Sequence, residues 1–141
     1  MLPNISKKIK KIIRSEDSRG SLISIVDEKI NNISIITSFS NSIRSNHLHK
    51  KDWHYMYVLE GAMEYFFVNK NKIFYIKLNK GDLVFTPPGE LHATYFPIKT
   101  VLVVASKNKR DQNTYEKDTV RKKFIDFKNL KSIKNHAQKI K

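Results

Sequence analysis

Residues 44–61 read RSNHLHKKDWHYMYVLEG and place three of the chain's five histidines, His47, His49 and His54, within eight residues. In an extended chain residues i and i+2 share a face, so His47 and His49 project together with Leu48 opposed. His54 opens the next apolar run on the face that also carries Met56 and Val58. If KKDW (50–53) turns the chain, His54 folds back beside the pair. These residues alone leave three roles open: proton-transfer bases, metal ligands, or polar side chains on a wet strand. Imidazole nitrogen suits divalent Fe, Ni, Cu, Zn or Mn, and a pair two residues apart on a strand is preorganised for such an ion.

Outward from this stretch, β-branched or aromatic runs alternate with turns. SLISIVD (21–27), NISIITSFS (32–40), WHYMYVLE (53–60), MEYFFV (63–68), KIFYIKL (72–78), DLVFTP (82–87), ATYF (93–96) and TVLVVAS (100–106) are expected strands. EGA, VNKNK, NKGD and PPGE separate them, and VNKNK (68–72) predicts a hairpin. Pro87 and Pro88 end their strand because neither supplies an N–H to a ladder. Many short strands with turn-rich spacing favour an all-β sandwich or barrel. Beyond 107, KNKRDQNTYEKD reads as a polar loop or an excursion over the barrel. Phe124, Phe127, Leu130 and Ile133 then fall at helical spacing and predict a terminal amphipathic helix. WHYMYVLE and MEYFFV carry large residues on both faces, which demands a cover over the outer face. A homodimer through this sheet is the expected cover, and the terminal helix is the competing one.

A length of 141 residues suits one domain. The net charge of +14 is concentrated at the ends: residues 1–14 carry +5 and residues 121–141 carry +7. The expected layout is therefore a basic segment at 1–14, a nearly neutral domain at 15–120 and a basic, helical extension at 121–141. Such ends attract polyanions electrostatically, but no nucleic-acid docking motif accompanies them, so no specific nucleic-acid partner is expected. No apolar stretch approaches 18 residues and no signal-peptide pattern opens the chain, so a soluble, cytoplasmic protein without a membrane partner is expected. The absence of cysteine excludes thiol chemistry, iron–sulfur binding and disulfides.

A fourth histidine, His92, follows the TPPGE turn, and here spacing becomes specific. HLHKKDWHYMYVLEG is H-x-H, four residues, H, six residues, G; GDLVFTPPGELH is G, five residues, P-x-G, two residues, H. The pair resembles the two sequence motifs of the cupin family. That resemblance implies an all-β, cupin-type jelly-roll β-barrel, here with a short C-terminal helical extension. It also implies one divalent transition metal (Fe, Ni, Zn or Mn) held by His47, His49, His54 and His92. Gly61, Gly81 and Gly89 would be the turn glycines and Pro87 the motif proline. His54 stands where cupins usually place a glutamate, so the ligand set loses one negative charge.

A narrower resemblance covers roughly residues 15–120. EDSRGSLISI (16–25) and IRSNHLHKK (43–51) look like the signatures of dTDP-4-keto-6-deoxyglucose 3,4-ketoisomerases and, more distantly, of dTDP-4-dehydrorhamnose 3,5-epimerases. Asp17, Arg19 and Gly20 match the first element, and Arg44, His47 and His49 the second; SKNKRDQNTYEKD (106–118) is weakly similar to the ketoisomerase ending. Ser45 occupies the family's glycine position, and His54 one that is usually glutamine in ketoisomerases, which work without metal. The resemblance implies an isomerase or epimerase of a nucleotide-linked keto-sugar. His47 or His49 would be the base, and Arg19 and Arg44 the pyrophosphate contacts. Tyr57 is a candidate substrate contact among several tyrosines able to supply an acid. A metal-dependent cupin oxygenase and a non-catalytic small-molecule-binding cupin are the alternatives. The same histidines serve as bases in the metal-free version and as ligands in the metal version, and the residues leave both open.

Overall fold

Alternation decides which side chains of each run meet. In the computed structural model, which describes every residue except Lys11 of the basic N-terminal segment, two sheets pack face to face. The first has the order β1 (Lys7–Ile9), β9 (Leu83–Thr86), β6 (His54–Glu60), β11 (Thr100–Ser106), β4 (Asn32–Ser38). The second runs β12 (Thr119–Arg121), β5 (Ser42–His49), β10 (His92–Phe96), β7 (Ala62–Asn69), β8 (Lys72–Asn79), β13 (Gln138–Ile140). Pairing is antiparallel except between β13 and β8. A separate hairpin joins β2 (Ile12–Asp17) to β3 (Gly20–Ser24), and two short helices, α1 (Gln112–Asp118) and α2 (Leu130–His136), complete the described elements.

Between the sheets, Met56 and Val58 of β6 meet Met63, Tyr65 and Phe67 of β7, Leu78 of β8 and Leu102 of β11 in one buried cluster. The β7–β8 turn is Lys70-Asn71, with φ of 49° and 63°, and Asn69 pairs with Lys72. Positive φ at both central residues matches the right-handed twist of the flanking strands, as a two-residue hairpin requires. Gly61 (φ 93°) closes the β6–β7 turn, where a Cβ would lie 2.5 Å from the Lys99 carbonyl oxygen.

The outer faces of the aromatic runs are covered by the chain itself. Phe66 and Tyr75 lie under Ile125, Leu130, Ile133 and Ala137 of the C-terminal extension. Trp53, Tyr55 and Tyr57 lie under Ile9, Ile25, Val26 and Ile30. The terminal extension thus provides the cover expected from a second subunit over β7. Its helix is shorter than the spacing predicts, and Phe127 is 60% exposed. Asp126 Oδ1 accepts the N–H groups of Lys128 and Asn129, and Asn129 Oδ1 accepts that of Asp126. These local bonds compete with helical ones and delay the helix until Leu130. The excursion after β11 is anchored at both ends. Lys107 N–H donates to the Trp53 carbonyl (3.1 Å), and Asp118 accepts the N–H groups of Lys51 (2.9 Å) and Asp52 (3.1 Å). No helix among the described residues is long and apolar enough to cross a membrane.

Candidate active site

β5 carries His47 and His49, and His92 begins β10 directly opposite His47 in the register. The backbone reaches His47 through two consecutive positive-φ residues, Ser45 (71°) and Asn46 (56°), where the β5–β10 ladder shifts. Such a bulge re-aims the side chain that follows it. Asn46 tolerates this conformation and also clamps the C-terminal extension: its Oδ1 accepts the Phe124 and Ile125 N–H groups at 3.0 Å. Ser45 holds a conformation that glycine adopts without cost. The PPGE turn is fixed to the site, because Gly89 N–H donates to the His49 carbonyl at 2.6 Å.

His54 comes from the opposite sheet. KKDW therefore carries the chain across the barrel instead of closing a hairpin, and His54 faces the pair from the far wall. Ring centroids lie 4.6 Å apart for His47–His49, 4.9 Å for His47–His92, 5.6 Å for His49–His54 and 5.5 Å for His54–His92. One ligand nitrogen each from His47, His49 and His92 falls within a 4.8 Å set, and His54 is not in that set.

Two tautomers follow from hydrogen bonds. His92 Nδ1 sits 3.0 Å from the Glu90 carbonyl, which can only accept, so Nδ1 carries the proton. Its Nε2 is buried with a free lone pair and no partner. The Thr119 hydroxyl donates to the Tyr115 carbonyl (2.6 Å), so at 3.3 Å it accepts from His49 Nδ1–H. That leaves the His49 Nε2 lone pair free. Asp118 Oδ2 stands 3.8 Å from the same Nδ1. Burial is the main cause that lowers all four histidine pKa values, to about 2 for His47 and about 4 for His92. Two neighbours pull back against the desolvation: the Asp118 carboxylate at His49 and the Glu90 carbonyl at His92.

These observations meet what a divalent cation needs. Neutral imidazoles offer lone pairs, and one of them is orphaned in the interior. The three nitrogens lie within 4.8 Å of one another, and binding an ion would draw them to the roughly 3.0–3.4 Å separation that bonds of about 2.0–2.1 Å impose. The cluster can coordinate a divalent metal.

His47, His49 and His54 open onto a cavity of about 110 Å³ that also touches Arg44, Arg110 and Tyr115, with no aspartate or glutamate in its wall. The Tyr115 ring lies 5.4 Å from that of His49 and 6.2 Å from that of His47. Arg44 and the four motif histidines thus come together. Arg19 does not: it sits 89% exposed in the β2–β3 hairpin, bound to Asp17. Tyr57 points away from His54, because odd and even positions of β6 face opposite ways, and it packs in the outer cluster with Trp53 and Phe85. Arg110, Tyr115, Asp118 and Thr119 carry no motif spacing of their own. For the first three the one sequence signal is the likeness of 106–118 to the ketoisomerase ending, and Thr119 lies beyond it.

The barrel and its histidines define the class: this is a cupin-fold protein, and the cupin-domain family model matches residues 41–104. It resembles the sugar 3,4-ketoisomerase QdtA of Thermoanaerobacterium thermosaccharolyticum in complex with TDP. That match has 20% identity and a TM-score of 0.70 over 95% of this chain and 98% of that one. A histidine-to-asparagine mutant of QdtA holding TDP-4-keto-6-deoxyglucose matches at 20% identity and a TM-score of 0.69, over 85% and 89% of the two chains. The TDP-quinovose 3,4-ketoisomerase WlaRB of Campylobacter jejuni matches at 19% and 0.71, over 84% and 94%. At these identities the likeness is one of fold. Comparison with curated protein sequences finds no match.

Proposed function

We propose that the protein is an isomerase or epimerase of a nucleotide-linked keto-sugar, with His49 as the proton-transfer base. The observation that carries this is the oriented His49 ring, its Nδ1–H on Thr119 and its Nε2 lone pair free. Shifting a keto-sugar requires removal of the acidic proton beside the carbonyl and its return at another carbon, which a neutral imidazole performs. When Nε2 takes that proton the ring becomes cationic, and Asp118 at 3.8 Å stabilises it. Burial makes His47, like His49, less basic than a free imidazole, and no carboxylate offsets this at His47, so it serves better as a ligand or hydrogen-bond partner than as the base. His92 aims its unpartnered Nε2 inward from a ring stacked on Tyr65 (5.9 Å, 16°). A divalent Fe, Ni, Zn or Mn ion held by His47, His49 and His92 would take the His49 lone pair, so in that version it would supply Lewis-acid stabilisation of the enediolate oxygen and His49 would be a ligand in place of the base. The ketoisomerase folds bound to TDP or TDP-4-keto-6-deoxyglucose support the substrate class.

Incubation with dTDP-4-keto-6-deoxyglucose in deuterated water tests the proposal. Solvent deuterium is expected at the carbon beside the ketone. No exchange with this or other nucleotide-linked keto-sugars overturns it and leaves the oxygenase and binding alternatives.

A further inference from the structure

The chain has five arginines, and four are engaged. Arg14 pairs with Asp27, Arg19 with Asp17, and Arg121 grips both Glu116 oxygens at 2.8 and 2.9 Å. Arg44 commits Nε to Ser38 Oγ (2.8 Å) and Nη2 to the Thr37 carbonyl (3.0 Å). Arg110 makes neither an ion pair nor a hydrogen bond among the described residues. Its guanidinium instead lies on the Tyr115 ring, with Cζ 4.3 Å from the centroid. Stacking in this way restrains the plane while leaving its N–H edge free to receive a ligand.

Position adds a second constraint. At about 110 Å³, the histidine cavity is well below the roughly 300–1,000 Å³ that encloses a drug-sized ligand. A sugar head group can enter it, but the attached nucleotide must continue past the rim. Arg110 is exposed at that rim and belongs to the cavity wall, which has no carboxylate to compete with an anion. It is also held in place, because Asn108 N–H donates to Asp52 Oδ1 at 2.9 Å and Asp111 caps α1 through the Thr114 N–H.

We propose that Arg110, stacked on Tyr115, binds the diphosphate of the nucleotide-linked substrate. This rests on the sugar-nucleotide proposal above and names a contact outside the cupin motifs. Guanidinium donors match phosphate oxygens in pairs, which a lysine at this place would not reproduce.

Titration calorimetry with dTDP and thymidine tests it on the full chain, with Arg110→Gln, Tyr115→Leu and, as a charge control on the exposed β8 end, Lys72→Gln. Charge-assisted hydrogen bonds of about 1.5–3 kcal/mol set the expected loss of dTDP affinity in Arg110→Gln at roughly 10- to 150-fold. Thymidine binding is expected to stay the same, Tyr115→Leu to lose dTDP affinity less steeply, and Lys72→Gln to match wild type. Arg110 is exposed, so thermal melting of the Gln variant should be unchanged. If Arg110→Gln and wild type bind dTDP equally, the assignment of Arg110 is wrong while the substrate class stands. If wild type binds none of dTDP, UDP, GDP and ADP, both fall.

Discussion

Replacing Asp118 by Asn removes one charge from the back of the proposed base, together with one of the two backbone N–H contacts that the carboxylate accepts. The carboxylate is 12% exposed, and Oδ2 lies 3.8 Å from His49 Nδ1. At an effective dielectric of about 20, a carboxylate and an imidazolium at that distance attract by about 4 kcal/mol. Arg110 and Arg121 act on His49 in the opposite sense, and asparagine keeps one oxygen for the Lys51 or Asp52 N–H. A net loss of about 2 kcal/mol remains, which slows proton abstraction roughly 30-fold. The interaction forms only as His49 takes up its proton, so the loss belongs in kcat. KM should hold, since Asp118 is not part of the cavity wall. Deuterium wash-in, followed by NMR at saturating and at low substrate, separates the two constants. Nitrogen-15 spectra of the ring should still show the proton on Nδ1, because Thr119 alone dictates that tautomer. A kcat within about twofold of wild type would refute the reasoning, as would a rise in KM with kcat preserved.

Ser45→Gly should stabilise the fold by about 1 kcal/mol, because φ of 71° is costly for any residue with a Cβ; chemical denaturation measures it, and a loss of stability contradicts the bulge geometry. Gly61→Ala should do the opposite by about 3 kcal/mol or more, since its Cβ would meet Lys99 O and Thr100 Oγ1 at 2.5 Å; an unchanged melting temperature counts against that turn. Elemental analysis reads which role His49 plays: as the base it leaves the purified protein without a stoichiometric ion, whereas close to one divalent ion per chain, kept in His54→Ala and lost in His49→Ala or His92→Ala, makes it a ligand of the 4.8 Å set and refutes it as the base. The homodimer was expected through the aromatic sheet, whose outer faces the chain itself covers, so a dimer would need another face, and Ile33 and Ile35 of edge strand β4, 65% and 72% exposed, offer one. Sedimentation should give a dimer that Ile33→Ser/Ile35→Ser converts to monomer, and a monomeric wild type rejects it.

The barrel was legible because strand physics is local. Alternation in WHYMYVLE and MEYFFV sorts Met56, Val58, Tyr65 and Phe67 inward whatever else the chain does. The positive-φ turn at Lys70-Asn71 likewise follows from its flanking runs. The terminal helix was less legible because Asp126 and Asn129 engage backbone N–H groups that periodicity ignores. Tyr57 shows a different limit. Pattern alone made it one tyrosine among several, and only the sheet's inner and outer faces, fixed by the whole fold, turn it from the cavity.

The four residues that give the site its direction come from outside both motifs. His47, His49, His54 and His92 are spaced for a cluster, and a cluster alone serves a metal or a base equally well. What separates His49 from the other three is a hydroxyl and a carboxylate from the residues that end the excursion, Thr119 and Asp118. They reach it because β12 pairs with β5 in a register that sets Thr119 opposite His49. The same anchoring brings Arg110 and Tyr115 over the cavity. One segment therefore orients the proposed base and carries the proposed anion contact, so its two ends should be separable by mutation. Changes at Asp118 should act on kcat, and changes at Arg110 on KM. If a substitution at either end moved both constants in proportion, the excursion would be acting as a single structural cover, and the division of labour between its ends would be wrong.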